Sequence, residues 1–331
     1  MAEIAPLVVA VDGGQSSTLA LVAAVDGRIV GSGRAGPSNH IDEPGGKERL
    51  EDALRQSVAQ ALAAARQPAA AVISACLGMT GAPDAARAIA RQLLPRAAVQ
   101  AHYDMVTALA GASAARPGVV VIAGTGSVAY GRLADGREAK AGGWGYIMGD
   151  EGSGYDIGRA ALRAASQASD GRAGPTALLQ RIPEHFGLPD LSAVHRAVYA
   201  GEIARPQLAA LARVAASAAA AGDDTARGLL ADAGRELARC ALAVVTQLGG
   251  AAAGLSVVYP TGGVLAAGGV TAAAFREQVT AGLAGLRVEP AAFSPAVGAL
   301  LLALQAAGAP LDAAVLAAVR ATLPAAAAKQ P

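Results

Sequence analysis

The same arrangement of residues occurs twice in this 331-residue chain, near position 10 and again near position 122. Each copy begins with an apolar run, Leu7–Val11 in the first and Val119–Ile122 in the second, and continues into a loop of small residues. A second apolar run and an Asp-Gly-Arg turn follow in both copies. Two apolar runs joined by a tight turn predict a β-hairpin, so each half of the chain is expected to open with one.

The two hairpin tips are rich in glycine and in hydroxyl side chains. The first tip consists of Asp12, Gly13, Gly14, Gln15, Ser16, Ser17 and Thr18, and the second tip consists of Gly124, Thr125, Gly126 and Ser127. Small residues let backbone N–H groups approach an anion, and hydroxyl groups suit phosphate oxygens. An ordinary hairpin turn is the alternative for each tip taken alone. The repetition favours a duplicated domain whose tips face each other across a cleft and bind a polyphosphate from both sides.

Composition excludes several classes of protein. The net charge is +1 and aromatic residues make up 3% of the chain, so neither nucleic acid nor an anionic membrane is expected as a partner. The longest apolar stretch, residues 241–258, is interrupted by polar residues and a glycine pair, which predicts a helix and a strand instead of a membrane span. The cysteines, Cys76 and Cys240, lie far apart in apolar surroundings. With no signal sequence before the first strand, they predict a reduced, cytoplasmic protein.

Helices and strands alternate through the rest of the first 115 residues. The pattern predicts helices over residues 46–66, 84–94 and 105–115 and strands over residues 71–77 and 98–103. Two strands followed by alternating helices and strands fit a mixed sheet covered by helices, which is an α/β domain of the ribonuclease H type. We therefore expect a first domain over residues 1–115.

The pattern starts again at residue 116 and predicts a second domain of the same type over residues 116–293. An alanine-rich helical region, residues 160–248, is inserted before a strand at residues 255–259, and a helix is predicted near residues 272–283. A helix over residues 294–308 is predicted to return to the first domain. The alanine- and proline-rich tail, residues 309–331, is expected to be loosely held.

Two aspartates stand where predicted strands end. Asp12 is a candidate Mg²⁺ ligand, acting through water, and the alternative is a turn residue that caps the hairpin. Asp104 lies between a strand and a helix, where a carboxylate can accept the proton of an attacking hydroxyl. The alternative for Asp104 is the N-cap of the following helix.

Other polar and aromatic residues lie in glycine-flanked loops that suit a ligand with several hydroxyl groups. Asn39, His40 and Asp150 are candidates for contacts with such a ligand. Trp144, between Gly143 and Gly145, is expected either to lie against a sugar ring or to plug the domain.

Two common nucleotide-binding motifs are missing from the sequence. Gly46-Lys47 is followed by Glu48, so it does not complete a P-loop. The glycine loops join strand to strand instead of opening a helix, which argues against a Rossmann dinucleotide site.

From Val8 to about Ala307 the chain resembles the superfamily of sugar kinases, Hsp70 and actin. Within it, the chain resembles the BadF/BadG/BcrA/BcrD ATPase family, which includes N-acetylglucosamine kinases. The most specific part is Gly-Gly-Trp-Gly-Tyr-Ile-Met-Gly-Asp-Glu-Gly-Ser-Gly over residues 142–154, the glycine segment, which is similar to the sugar-binding segment of those kinases. The first tip resembles the first phosphate loop of the superfamily, with Gln15 where a third glycine is common.

The resemblance implies a role for particular residues. Asn39 and Asp104 would contact the sugar with Asp104 as the base, and Thr125 would contact a nucleotide phosphate. Gly262 and Gly263 match glycines on the adenosine side. The sugar pocket would be lined by Ser127, Val128, Gly143, Trp144, Gly145 and Asp150.

The resemblance also implies two ribonuclease H-like (actin-like ATPase) domains with a cleft between them, ATP and Mg²⁺ as cofactors, and a homodimer. The predicted function is an ATP-dependent kinase that phosphorylates the 6-hydroxyl of an amino sugar, with N-acetylglucosamine as the expected substrate and glucosamine and N-acetylmuramic acid as alternatives. An ATPase that senses or activates a partner without sugar transfer is the alternative from another class. Iron–sulfur ATPases of the family carry cysteines near the second phosphate loop, and this chain has none there.

Overall fold

The computed structural model describes residues 6–39 and 41–328, and these residues form two compact units. Unit 1 contains the described residues up to 117 and from 290 onward, and unit 2 contains residues 118–289. Each unit is built on a five-stranded sheet among the described residues. The predicted α/β class with two similar sheets is therefore confirmed.

Unit 1 opens with three antiparallel strands, β1 (Leu7–Gly13), β2 (Thr18–Ala24) and β3 (Ile29–Ala35). Helix α1 (Gly46–Ala65) then packs against β3 and β2. The five residues from Leu7 to Val11 are buried on both faces of the sheet, because alternate side chains of β1 enter two different apolar clusters.

The sheet of unit 1 is completed by two parallel strands. β4 (Val72–Met79) lies parallel to β1, and after α2 (Pro83–Leu93) the strand β5 (Ala98–Tyr103) lies parallel to β4. Helix α3 (Asp104–Ala112) follows directly, so the strand order is β3-β2-β1-β4-β5. The carboxyl ends of β1, β4 and β5 consequently lie at one edge of the sheet.

Unit 2 repeats this connectivity. β6 (Gly118–Ala123), β7 (Ser127–Arg132) and β8 (Glu138–Gly142) form the antiparallel strands. The two predicted hairpins, β1–β2 and β6–β7, are therefore confirmed.

The rest of unit 2 contains a helical insertion and two parallel strands. The helices of this part begin with α4 (Gly145–Met148), α5 (Gly154–Ser169), α6 (Leu178–Phe186), α7 (Leu191–Tyr199), α8 (Arg205–Ala220) and α9 (Asp224–Gln247). They are followed by β9 (Val257–Thr261), α10 (Gly263–Ala266), α11 (Gly269–Gly282) and β10 (Arg287–Val288). β9 lies parallel to β6 and β10 parallel to β9, which gives the order β10-β9-β6-β7-β8.

The chain returns to unit 1 in α12 (Pro295–Ala306), which packs against α3, β1 and β4. A Cβ atom on Gly298 would lie 1.9 Å from the carbonyl oxygen of Thr107, and one on Gly111 would lie 2.3 Å from that of Ser294. Since no side chain fits at either position, the two glycines allow α3 and α12 to approach closely.

The tail differs from the prediction that it would be loosely held. It contains α13 (Ala313–Ala321) and α14 (Ala325–Ala328). Val315 and Val319 of α13 are buried, and the backbone N–H of Ile29 donates to the hydroxyl of Thr322 at 2.9 Å. The apolar spacing of α13 therefore holds it against the hairpin of unit 1.

Three edge strands, β3, β8 and the two-residue β10, were not predicted from the sequence. In β3, Gly31 and Gly33 pack directly on the backbone of α1, where a Cβ atom would lie 2.2 Å from Ala61 O and 2.1 Å from Ser57 O. Glycines needed for this close approach break the apolar pattern that identifies a strand. In β8, Glu138 and Lys140 are exposed, so this edge strand has no apolar run either. Among the described residues, no helix combines the length and apolar character needed to cross a membrane.

Candidate functional site

The carboxyl edge of the unit 1 sheet collects three polar side chains. Asp12 lies near the end of β1, Thr80 follows β4, and Asp104 follows β5 as the first residue of α3. The Thr80 hydroxyl donates to Asp104 Oδ2 at 2.7 Å, while the Thr80 backbone N–H donates to Gly13 O at 2.9 Å. Thr80 therefore fixes the carboxylate of Asp104 relative to the first tip.

The two carboxyl groups have pKa values above the ordinary value for aspartate. Burial, together with the nearby Asp104 carboxylate, raises the pKa of Asp12 from its ordinary value to about 7. Burial also raises the pKa of Asp104, against the opposite effect of hydrogen bonds from Thr80 and the Met105 backbone. A carboxylate with a raised pKa is a stronger base, and two neighbouring carboxylates favour a cation beside them.

The alternatives considered for these aspartates do not match the geometry. Tyr103, and not Asp104, occupies the N-cap of α3. Within the part of the chain that the structure describes, the Asp12 side chain makes no hydrogen bond to the hairpin turn. The Asp12 carboxylate is thus left for a ligand, while the Asp104 carboxylate accepts hydrogen bonds from Thr80 and from the Met105 backbone.

The first tip is closed by a hydrogen bond from Gly14 N to Ser17 O at 3.1 Å. Gln15 and Ser16 are exposed at its end, and among the described residues their backbone N–H groups have no acceptor. Gln15 does not have a positive φ, so it replaces the common glycine without backbone strain. Thr18 differs from the prediction, because its buried hydroxyl donates to Gly36 O at 2.9 Å and stabilises the hairpin.

The loop after β3 lies against the first tip. Ser38 N donates to Gly14 O at 3.2 Å, and the buried Ser38 hydroxyl has no partner among the described residues. A Cβ atom on Gly13 would lie 2.4 Å from Met79 Cε and 2.6 Å from this hydroxyl, so a larger residue there would displace both side chains. Asn39 is buried and its carbonyl accepts from Arg49 at 3.0 Å, whereas His40 lies outside the described residues.

The second tip, in unit 2, is also closed by a backbone hydrogen bond. Gly124 N donates to Gly126 O at 3.0 Å, and Gly154 N, at the start of α5, donates to Gly124 O at 2.8 Å. The backbone N–H groups of Thr125 and Gly126 have no acceptor in the described chain. Each tip therefore presents two adjacent N–H donors, an arrangement suited to phosphate oxygens.

Asp150 holds the second tip in place. Its Oδ1 accepts from Ser127 N at 3.0 Å, and its Oδ2 accepts from Arg205 Nη2 at 2.6 Å. A Cβ atom on Gly126 would lie 2.7 Å from the same carboxylate. Both oxygens therefore accept hydrogen bonds that shape the loop, and the contact of Asp150 with the sugar stays a prediction.

The glycine segment carries several exposed aromatic and apolar residues. Gly142, Gly143 and Gly145 have φ values of 73°, 70° and 76°, which favour glycine. Trp144 is 65% exposed, so the interpretation that it plugs the domain is wrong. Lys140 Nζ lies 5.4 Å from the centre of the Trp144 ring. Val128 faces Gly143, since its Cγ2 lies 3.1 Å from where a Cβ atom of that glycine would stand.

A cavity of about 870 Å³ lies within unit 2 beside the second tip. Gly124 and Thr125 form one wall, α8 forms another, and Gly263 with the start of α11 forms a third. Its volume is typical of sites for small molecules. Arg213 and Arg227 line the cavity and have no acidic partner among the described residues. Gly262 has φ 85° and packs on the end of β6, where a Cβ atom would lie 2.5 Å from Ala123 O.

Sequence reasoning missed Thr80, Arg205 and the wall formed by α8. Thr80 had a signal, because it follows a buried strand in a glycine-flanked loop, as Asp12 does. Arg205 had none, because it lies 55 positions from Asp150 in a region read only as helical.

Comparison with known proteins identifies the family of this chain and several relatives. Residues 9–303 match the BadF/BadG/BcrA/BcrD ATPase family. An N-acetylmuramic acid/N-acetylglucosamine kinase of Clostridium acetobutylicum is 34% identical over 246 residues, covering 73% of this chain and 80% of the relative. An N-acetyl-D-glucosamine kinase of Dictyostelium discoideum is 30% identical over 206 residues, covering 61% of this chain and 64% of the relative.

Solved structures show the same fold. A provisionally named N-acetylglucosamine kinase from Chromobacterium violaceum has a TM-score of 0.71 at 29% identity, covering 92% of this chain and all of that chain. A glucokinase of the ROK family from Streptomyces griseus, solved with glucose and AMPPNP, has a TM-score of 0.53 at 18% identity, covering 90% of this chain and 98% of that chain. The family match extends over nearly the whole length, with both tips and the glycine segment inside it. The chain belongs to the BadF/BadG/BcrA/BcrD ATPase family.

Proposed function

We propose that this protein is an ATP-dependent amino-sugar kinase that phosphorylates the 6-hydroxyl of N-acetylglucosamine. The observation that carries the proposal is the position of the Asp104 carboxylate, which Thr80 fixes beside Asp12 at the carboxyl edge of the unit 1 sheet. The first tip, in the same unit, has free N–H donors. The relatives named as N-acetylglucosamine kinases support the substrate.

Asp104 acts as the general base. The oxygen of the sugar hydroxyl attacks the γ-phosphorus, the bond from that phosphorus to the bridging oxygen breaks, and ADP leaves with the electron pair. The hydroxyl proton passes to the Asp104 carboxylate, whose raised pKa suits it to accept one. Proton transfer of this kind contributes roughly 10²–10⁴ in rate, and positioning and charge stabilisation contribute the remainder.

The cavity of unit 2 takes the nucleoside, and the second tip takes its phosphates. The free N–H groups of Thr125 and Gly126 stand next to that cavity, because Thr125 also lines it. Gly263 forms part of the wall, in agreement with its predicted place on the adenosine side.

The residues present fit Mg²⁺ as a cofactor. Asp12 and Asp104 form a pair of desolvated carboxylates with no cationic partner in the described chain. No group of three or more His, Cys, Asp or Glu side chains capable of holding a metal occurs among the described residues. Asp12 would therefore hold Mg²⁺ together with water and phosphate oxygens, as is common for this ion. When bound, Mg²⁺ neutralises charge on the phosphates.

Lys140 supports N-acetylmuramic acid as a second substrate. This sugar is N-acetylglucosamine with a lactyl ether on O3, which adds a carboxylate. The Lys140 ammonium lies beside Trp144 of the glycine segment and has no acidic partner among the described residues. A free ammonium next to the predicted sugar residues is a suitable partner for that carboxylate.

A coupled assay that follows ADP release tests the proposal with N-acetylglucosamine, N-acetylmuramic acid, glucosamine and glucose as acceptors. We expect ADP release that depends on an amino sugar and the formation of a 6-phosphate, identified by mass spectrometry and NMR. ATP hydrolysis that no amino sugar changes would instead support the alternative of a sensor or partner-activating ATPase. The homodimer and the cytoplasmic location stay predictions.

A further inference from the structure

Arg205 connects three parts of unit 2. It is the first residue of α8, and its guanidinium reaches out of the helical insertion to the Asp150 carboxylate at 2.6 Å. The Asp150 side chain is only 6% exposed, so this ion pair is shielded from water on one side. Hydrogen bonds between charged groups in such surroundings are shorter and stronger than exposed ion pairs.

The ion pair reaches the second tip through the other oxygen of Asp150. That oxygen accepts from Ser127 N at 3.0 Å, and the Ser127 hydroxyl in turn donates to Glu151 O at 2.8 Å. Asp150 has φ 62°, a conformation uncommon for aspartate that persists where the surroundings impose it. A displacement of the guanidinium therefore displaces the carboxylate and, with it, the end of the second tip.

The same guanidinium contacts the glycine segment. Its Cζ lies 4.8 Å from the centre of the Tyr146 ring and 5.6 Å from that of Tyr155, and the two rings meet edge to face at 5.4 Å. Tyr146 is in α4, between Trp144 and Asp150. A guanidinium over aromatic faces is held by their electrostatic attraction as well as by contact.

Helix α4 has little else to hold it. Ile147 and Met148 are 81% and 71% exposed, so the hydrophobic effect contributes little to its position. Glycines stand at both ends of this four-residue helix, Gly145 and Gly149, and give it conformational freedom. The contact between Arg205 and Tyr146 is therefore a main restraint on the orientation of α4.

We infer that Arg205 is a positioning residue that couples the glycine segment to the second tip, so that a sugar bound at α4 sets the phosphate-binding loop for transfer. The inference rests on the proposed function, since it concerns how the sugar site and the phosphate site communicate. Arg205 acts through Tyr146 and Asp150 and needs no contact with ATP or sugar.

The test compares Arg205→Met and Arg205→Lys with the wild type at saturating ATP and varied N-acetylglucosamine, measuring ADP and sugar phosphate in the same samples. For Arg205→Met we expect a KM for sugar at least about tenfold higher, a lower kcat, and more than one ADP released per sugar phosphate. A tenfold change corresponds to about 1.4 kcal/mol, which is within the range of one lost charged hydrogen bond. Arg205→Lys keeps the charge but loses the planar group that spans two rings, so its values should be intermediate.

The ratio of ADP to sugar phosphate separates positioning from mere stabilisation. If Arg205 only stabilised the fold, its loss would reduce the fraction of active enzyme, which lowers kcat and leaves both KM and the ratio unchanged. Arg172→Met is the matched control, because Arg172 forms an exposed ion pair with Asp170 after α5 and should change neither quantity. Circular dichroism and a melting curve establish that each variant is folded.

The possible failures are distinguishable. A wild-type enzyme that phosphorylates no amino sugar overturns the proposed function. An active wild type together with folded Arg205 variants that keep the wild-type KM and a ratio of one overturns the coupling. If Arg205→Met does not fold, Arg205→Lys decides the question in the same assay.

Discussion

Asp104 is the residue on which the proposed phosphate transfer depends. It lies directly after β5 and accepts a hydrogen bond from Thr80, and its burial raises the pKa of the carboxyl group. An amide at this position keeps the size of the side chain and the hydrogen bond from Thr80 but cannot accept the proton.

We expect Asp104→Asn to lower kcat by roughly 10²–10⁴ while the affinities for ATP and sugar stay within a few fold. Rapid-quench assays give kcat, and calorimetric titration gives both affinities. Asp84→Asn, on the exposed side of α2, is the control and should have normal activity. A kcat near the wild-type value in Asp104→Asn would exclude it as the base.

Lys140 is a second single residue with a proposed role, and its effect is confined to one substituent of the sugar. We expect Lys140→Met to lower kcat/KM for N-acetylmuramic acid about tenfold, the effect of losing one hydrogen bond between charged groups. The value for N-acetylglucosamine should stay within about twofold, since that sugar lacks the carboxylate. Lys47→Met, an exposed lysine of α1, is the control. Equal losses for both sugars would contradict the assignment.

The positions of single residues at strand ends could be predicted from the sequence, while their roles stay predictions. Asp12 and Asp104 could be found because apolar runs reveal strands, and parallel strands of a sheet end at a common edge. The role of Asp150 could not be found in this way, because it depends on Arg205, which is distant in the sequence. Thr18 was predicted to bind phosphate because of its position in a polar run, but its hydroxyl donates to Gly36 O within unit 1.

At the scale of elements, the loop between β9 and α10 depends on Gly262. Its φ of 85° disfavours any other residue, and the backbone of Ala123 fills the space where a side chain would begin. A side chain at position 262 would push on the backbone of Ala123. Because β6 continues from Ala123 into the second tip, this displacement would reach the second tip.

We expect Gly262→Ala to lower the free energy of unfolding of unit 2 by about 1–3 kcal/mol and to weaken ATP binding. Chemical denaturation followed by circular dichroism measures the first effect, and titration with ATP measures the second. Gly228→Ala is a matched control, because Gly228 lies in α9 with open space around it. That variant should gain up to about 1 kcal/mol, as alanine does over glycine in a helix. Unchanged ATP affinity in Gly262→Ala would separate this glycine from the nucleotide site.

Elements with regular apolar patterns were predictable, and those shaped by contacts were not. The helix α1 and the strand β5 follow their predicted ranges closely, because burial on one face gives a clear period. The strand β3 was missed since its glycines serve the packing of α1, and α13 was missed since alanine- and proline-rich composition resembles a tail.

At the scale of the whole molecule, the cavity proposed to bind the nucleotide and the second tip belong entirely to unit 2, which is continuous from residue 118 to residue 289. Asp12 and Asp104 belong to unit 1. The proposed function therefore places the binding of the nucleoside in unit 2 and the base for phosphate transfer in unit 1.

We expect a fragment of residues 118–289 to fold and bind ATP but to transfer no phosphate to sugar, because it lacks the base. Circular dichroism tests whether the fragment folds, titration with ATP tests binding, and the coupled assay tests phosphate transfer. The fragment with Gly262→Ala is the control for specific binding. A folded fragment with no affinity for ATP would contradict the placement of the nucleotide in unit 2.

The return of α12 to unit 1 has a consequence during protein synthesis. The face of the first sheet that carries Val8 and Ala10 is covered by α12, which is made only after all of unit 2. At about 5–20 residues per second, roughly 15–60 s pass between the synthesis of Val8 and that of α12 on the ribosome. The nascent chain therefore exposes this apolar surface for that time. We expect a chain truncated before α12 to keep the surface exposed and to be bound by chaperones and degraded by proteases.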